Sequence, residues 1–176
     1  MSKPGAMPIL VNLAAFQLGW FACVLGAAHG VPWAGTVVAL AIVAWHVTRA
    51  ARPRAELVLV LIAAGIGALW DSGLSALGWI FYPSGVLIEG AAPYWIVAMW
   101  MLFATTLNSS LAWLRRNLPL AAAFGALGGP LAYLGGAKLG ALTFGAQEAA
   151  LVALALGWAV ATPLLLRLAR PEVAHA

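Results

Sequence analysis

The chain has 176 residues, 64% of them hydrophobic and 8% charged, with nine Trp, nineteen Gly and a net charge of +4. Soluble proteins carry about 25% charged residues, so the composition excludes an ordinary soluble domain and reads as one integral membrane domain over 1–176. In a soluble chain the basic excess would raise nucleic-acid binding. Here Lys and Arg fall at the ends of apolar runs and read as topology signals, so no nucleic-acid partner is expected.

The first apolar run covers 9–28. Behind Lys3 it has the charge layout of a signal peptide, with Gly26, Ala27 and Ala28 as small residues at its far end. Asn12 and Gln17 interrupt the apolar segment, so it reads as a retained span. It also holds Cys23, the single cysteine, which leaves no internal disulfide and no thiolate metal cluster. Further runs follow at 31–48, 56–78, 93–114, 119–139 and 148–168. Crossing about 30 Å of hydrocarbon takes about 20 apolar residues, and none of these runs alternates as a strand would. They predict an all-α polytopic bundle of six transmembrane helices.

With the N-terminus in the cytoplasm, the inner segments hold Lys3, Arg49, Arg52, Arg54, Arg115, Arg116, Arg167 and Arg170, and only Lys138 falls outside. That asymmetry predicts cytoplasmic N- and C-termini.

The third span carries Asp71, the only aspartate in the chain. An ionised side chain within a span costs about 2.5–3.5 kcal/mol on insertion scales, so it needs a partner. Helical spacing places Asp71 on a stripe of small residues with Ala64, Gly67, Ala68, Ser75 and Gly78, opposite Leu59, Ile62, Ile66 and Leu69. Lys138, Tyr133, Tyr94 and Glu89 are candidate partners toward the outer side; the other reading is a Lys138 that snorkels at its helix end and a structural Asp71 bonded to hydroxyls. Toward the cytoplasmic side lies a second polar group: Asn12, His46, Thr105 and Asn108. Interhelical hydrogen bonds between such residues hold membrane helices together, so this group reads as structural.

The longest connection, 79–92, carries Trp79, Phe81 and Tyr82 and reads as a loop resting on the outer leaflet. In the fifth span Pro130 removes a helical donor and is expected to kink the helix after Gly128 and Gly129, freeing the Ala126 carbonyl. Gly125, Gly129, Gly136 and Gly140 also form a candidate close-packing seam.

Enzymatic signatures are missing from the sequence. His29, His46 and His175 form no His box, a lone Asp makes no carboxylate dyad, and no G-x-S-x-G elbow or P-loop occurs. No metal, cofactor or assigned catalytic residue is expected, and a proton-transfer enzyme built around Asp71 is the one enzymatic reading left open.

The stretches "NLAAFQLGWFACVLGAAHG" from Asn12, "LWDSGL" around Asp71, "APYWIVAMWMLFATTLNSSLAWL" from Ala92 and "GGPLAYLGGAKLG" from Gly128 resemble a family of small bacterial inner-membrane proteins, domain of unknown function 2878. The resemblance spans nearly the whole chain and implies a multi-pass protein of the bacterial inner membrane. It carries no activity and no site residue.

Taken together with that resemblance, which inclines the reading toward lipid handling, the residues are read as a protein that binds or moves a lipid or small amphiphile through a cavity between spans one, three, four and five. Asp71, Tyr133 and Lys138, with Tyr94 and Ser75 nearby, would form its outer polar wall, and Asn12 and Asn108 its inner one. The alternatives are a proton-coupled transporter using Asp71 and an accessory subunit whose glycine seams bind another membrane protein. Membrane lipids are the expected partners in the first reading.

Overall fold

The computed structural model describes residues 9–169, so Lys3, Arg170 and His175 lie outside the described part. Six α-helices follow in chain order: α1 Ile9–Ala28, α2 Pro32–Arg49, α3 Pro53–Ala76, α4 Tyr94–Ala104, α5 Leu118–Lys138 and α6 Gln147–Leu168. Prolines open α2 and α3, where a missing N–H is no loss. The Asn117 side chain caps α5 by accepting from the Leu120 N–H. Four helices, α1, α3, α5 and α6, are long and apolar enough to cross a membrane. Leucines on their outer faces are left bare, Leu10 and Leu69 at 79% exposure, as lipid-facing positions require.

The fourth predicted span, 93–114, is not one continuous helix. α4 stops at Ala104, and the chain then descends in tight turns to a short 3-10 helix, Ala112–Arg116. The cause is local. The Thr105 and Thr106 hydroxyls donate to the Leu102 and Phe103 carbonyls three residues back, at 2.7 and 2.6 Å. The backbone N–H groups of Thr105, Thr106 and Leu107 also bond three residues back rather than four. Asn108, Ser109 and Ser110 follow, residue types whose side chains compete with helical bonding.

The packing also departs from an unbroken helical bundle at the opposite end. Ile80–Phe81 (β1) pairs antiparallel with Thr143–Phe144 (β2), joining the segments that follow α3 and α5. The 79–92 connection therefore does not simply rest outside. Ile80 is fully buried, and Tyr82 turns inward. Ser84 Oγ donates to the Ala27 carbonyl (2.8 Å), and Trp95 Nε1 donates to the Ser84 carbonyl (3.0 Å). Leu87 and Ile88 remain 80% and 72% exposed at the tip, the part that matches an interfacial loop.

Helices pair mainly as hairpins, α1 with α2 and α5 with α6, with α4 between α2 and α3. Glycines set the closest approaches. A Cβ at Gly35 would overlap the Ala22 carbonyl of α1, and one at Gly125 would overlap the Trp158 carbonyl of α6. α1 meets α5 toward its C-terminal end, where a Cβ at Gly135 would touch the Trp20 ring and one at Gly140 the Ala28 methyl.

Candidate functional site

Asp71 is fully buried, and three side chains donate to its carboxylate. Tyr82 from the outer connection and Tyr133 from α5 both donate to Oδ1, at 2.8 and 2.5 Å. Trp100 Nε1 from α4 donates to Oδ2 at 2.9 Å. Burial, and after it the neighbouring Asp71 carboxylate, hold the Tyr82 phenol well above its usual range, so it remains a donor at physiological pH. Together they leave neither oxygen of the buried carboxyl group without a partner, as a polar group inside a span requires.

The buried residues of α3 are Glu56, Leu59, Val60, Ala63, Gly67, Asp71 and Leu74. Asp71 and Gly67 face inward as expected, and Leu69 faces out. Leu59, assigned to the outer side by the sequence pattern, is 3% exposed. Ser75 and Ala64 are half-buried flanks. Small and large apolar residues are equally at home inside a membrane bundle, so size misplaces the face by part of a turn. At Gly67 the missing side chain matters directly. A Cβ there would overlap the Trp100 indole, so the glycine lets that ring lie flat on α3 one turn below Asp71.

Of the other candidate partners, Lys138 at the end of α5 and Glu89 in the outer connection are both exposed. Tyr94 is half-buried and lines a separate hollow of about 370 Å³ with Thr36, Leu87 and Met101. None of the three bonds to Asp71, whose described partners are Tyr82, Tyr133 and Trp100. The sequence pattern does not single out Trp100, and it keeps Tyr82 at the membrane surface. Their signal was available as polar-tipped aromatics among apolar residues, but Trp and Tyr are also the standard interfacial types.

Tyr133 and Trp100 do more than meet Asp71. Both line a crevice of about 420 Å³ between α1, α4, α5 and α6. Trp158 of α6 stacks on Trp100 (centroids 4.3 Å apart, planes at 16°) and meets Phe103 edge to face at 5.0 Å. Phe16 and Trp20 of α1 form the facing wall. Among the described residues, no charged side chain lines it. Leu13, Phe124 and Leu131 at its lips are 39%, 43% and 65% exposed, so it opens laterally between α1 and α5. α3 contributes no lining residue and α6 does, a change from the predicted cavity walls.

α5 runs through Pro130 as a single helix. The two glycines before it divide their work. A Cβ at Gly129 would overlap the Trp158 ring, whereas Gly128 has open space and faces the crevice. The seam reading holds for Gly125 and Gly129.

At the other end of the bundle the second polar group resolves into two networks. Asn12 Nδ2 donates to the Thr105 carbonyl (3.1 Å), and Ser110 Oγ donates to Asn12 Oδ1 (2.6 Å). Asn12 thereby satisfies backbone and side-chain groups that the break after α4 sets free. His46 and Asn108 belong to the second network, centred on Glu56, which is 6% exposed. Asn108 Nδ2 donates to Glu56 Oε1 (2.6 Å), and His46 Nε2 lies 3.4 Å from Glu56 Oε2. Arg115 donates to Asn108 Oδ1 (2.7 Å) and to the Leu166 carbonyl of α6 (3.1 Å). From the sequence, Glu56 and Arg115 read only as charges flanking spans. Among the described residues no His, Cys, Asp and Glu group has the makings of a metal site.

A family model described as "Protein of unknown function (DUF2878)" matches residues 9–164. Among curated proteins and among solved structures, nothing matches.

Proposed function

We propose that this chain, which belongs to that family of unknown function, binds a lipid or small amphiphile in the lateral crevice between α1 and α5. The observation that carries the reading is the crevice itself. Its volume of about 420 Å³ lies within the range of small-molecule sites, about 300–1,000 Å³. Its aromatic, charge-free lining suits an apolar chain entering sideways from the bilayer. Asp71 serves this site from behind. By holding the Tyr133 hydroxyl and the Trp100 indole N–H, it fixes two wall residues whose rings would otherwise be free to fill the space. It is a positioning residue, and the saturation of both its oxygens favours lipid binding over a proton-carrying transporter.

The membrane setting is a bacterial inner membrane crossed six times, with both termini cytoplasmic. The α3 and α5 ends joined by β1 and β2 would face outward. The start of α1, the start of α3 and the end of α6, tied through Asn12, Glu56 and Arg115 to the segment after α4, would face inward. The basic residues Arg49, Arg52, Arg54, Arg115 and Arg116 gather at that inner end.

Native mass spectrometry of the detergent-purified protein tests the reading. Wild type should retain a lipid-sized adduct. Gly128→Leu, which puts a side chain into open crevice space, should lose it, and Gly65→Leu, on the open face of α3 away from the crevice, should keep it. An adduct unaffected by Gly128→Leu would rule the crevice out.

A further inference from the structure

Resting on the crevice being the lipid site, we infer that its occupant is an uncharged lipid whose polar oxygen reaches the middle of the membrane, where the Gln17 side-chain amide receives it. Gln17 lies on α1 at the crevice wall, is exposed, and makes no hydrogen bond among the described residues. It sits eight residues into a helix of 20 residues, about 12 Å along a helix of about 30 Å. If α1 crosses the hydrocarbon core upright, that is about 3 Å from the bilayer midplane. No headgroup and little water reach that depth, and an amide left without a partner in hydrocarbon is costly. Nearby, Asn12 and Ser110 bond each other, and Thr106 bonds the Phe103 carbonyl. Gln17 makes no such bond and lines the cavity, together with Trp158 and Thr162, whose Nε1 and Oγ1 are buried without a partner.

The chemistry of the occupant follows from depth and charge. The described lining holds no charged residue, so neither a phosphate nor a carboxylate finds a counter-ion there. The ester carbonyls of a phospholipid lie near the edge of the hydrocarbon core, about 15 Å from its middle, too far to meet Gln17 without dragging a headgroup inward. A lipid with a small neutral oxygen at its polar end has neither difficulty. A quinone carbonyl can accept from the amide N–H, and a long-chain alcohol can both accept and donate to it. The aromatic surfaces of Trp20, Trp100 and Trp158 then pack the rest of the molecule.

Trp20, Trp100 and Trp158 also provide a readout, because a bound quinone quenches tryptophan fluorescence. The purified full chain is titrated with decyl-ubiquinone, and bound quinone is then competed with hexadecanol, hexadecane or dioleoylphosphatidylglycerol. The expected result is that decyl-ubiquinone and hexadecanol each bind about tenfold more tightly than hexadecane, one hydrogen bond's worth of affinity. Gln17→Leu should abolish that preference while leaving hexadecane unchanged. The stronger of the two oxygen lipids identifies the source, and either order supports the inference. Equal competition by hexadecane in wild type, tightest binding by the phospholipid, or a preference that survives Gln17→Leu overturns it. Gly128→Leu separates the crevice from its occupant. If it abolishes binding of every probe while Gln17→Leu changes nothing, the crevice stands and this inference falls. If it abolishes none, the crevice reading falls with it.

Discussion

Three donors converge on Asp71 from three different segments, α4, α5 and the outer connection, so its removal is felt by all of them. Asp71→Leu leaves two hydroxyls and an indole N–H buried without an acceptor, and at about 1–3 kcal/mol per unsatisfied group the bundle should lose most of its thermal stability in detergent. Asp71→Asn retains one acceptor oxygen for Trp100 and offers an NH₂ to the tyrosine oxygens, which can accept. Its melting temperature should stay much closer to wild type than that of the leucine variant. Equal losses in both would show that charge, and not hydrogen-bond geometry, is what the three donors require. Tyr133→Phe should cost about 1–2 kcal/mol by removing one donor while keeping the ring in the crevice wall. Gly67→Ala is the steric counterpart. Its methyl group occupies the space of the Trp100 indole, and overpacking of this kind costs typically about 1–3 kcal/mol. Circular dichroism melts of these four variants against wild type measure all of these effects.

The helices form because their apolar runs are long, and five of the six predicted spans coincide with α1, α2, α3, α5 and α6 to within three residues at either end. The span 93–114 hides the break after Ala104 because the segment beyond it is as buried as its neighbours, Leu107 included, and its polar residues lie between apolar stretches. The clue lay in the succession Thr105, Thr106, Asn108, Ser109 and Ser110, side chains that each offer the backbone an alternative to the helical bond. The grouping of Asn12 with Thr105 was legible from depth alone. The division of that group in two was not, because it depends on which way the broken segment turns and hence on Glu56 and Arg115. Asn12→Leu should destabilise the break by stripping the Thr105 carbonyl and the Ser110 hydroxyl of their partner, a loss of about 1–3 kcal/mol. Faster hydrogen exchange confined to residues 105–111 is the expected signature, and uniform exchange across the chain would argue that the break is held by other contacts. On α5, Gly129→Leu should prevent α6 from docking at Trp158, whereas Gly128→Leu should fold normally.

For the whole molecule, the distribution of Lys and Arg predicts orientation, and the pairing of ends adds an independent constraint, since the start of α1 and the end of α6 lie at one end of the bundle through Asn12, Arg115 and Leu166. Reporters fused at the C-terminus that are active only in the cytoplasm should therefore be active. The crevice was less legible. Its walls come from four helices, and its opening exists because α1 and α5 are spoken for by α2 and α6, a packing choice made by glycines at Gly35, Gly125 and Gly129 that hydropathy does not reveal. The most direct test of a lateral lipid site is photoaffinity labelling of the membrane-embedded protein with a diazirine-bearing fatty alcohol, followed by peptide mapping. The crevice account predicts labels concentrated at Leu13, Phe124 and Leu131 and sparse labelling of Leu69, although Leu69 is the more exposed at 79%. Labelling that simply follows exposure, with Leu69 marked at least as heavily as the crevice lips, would contradict it.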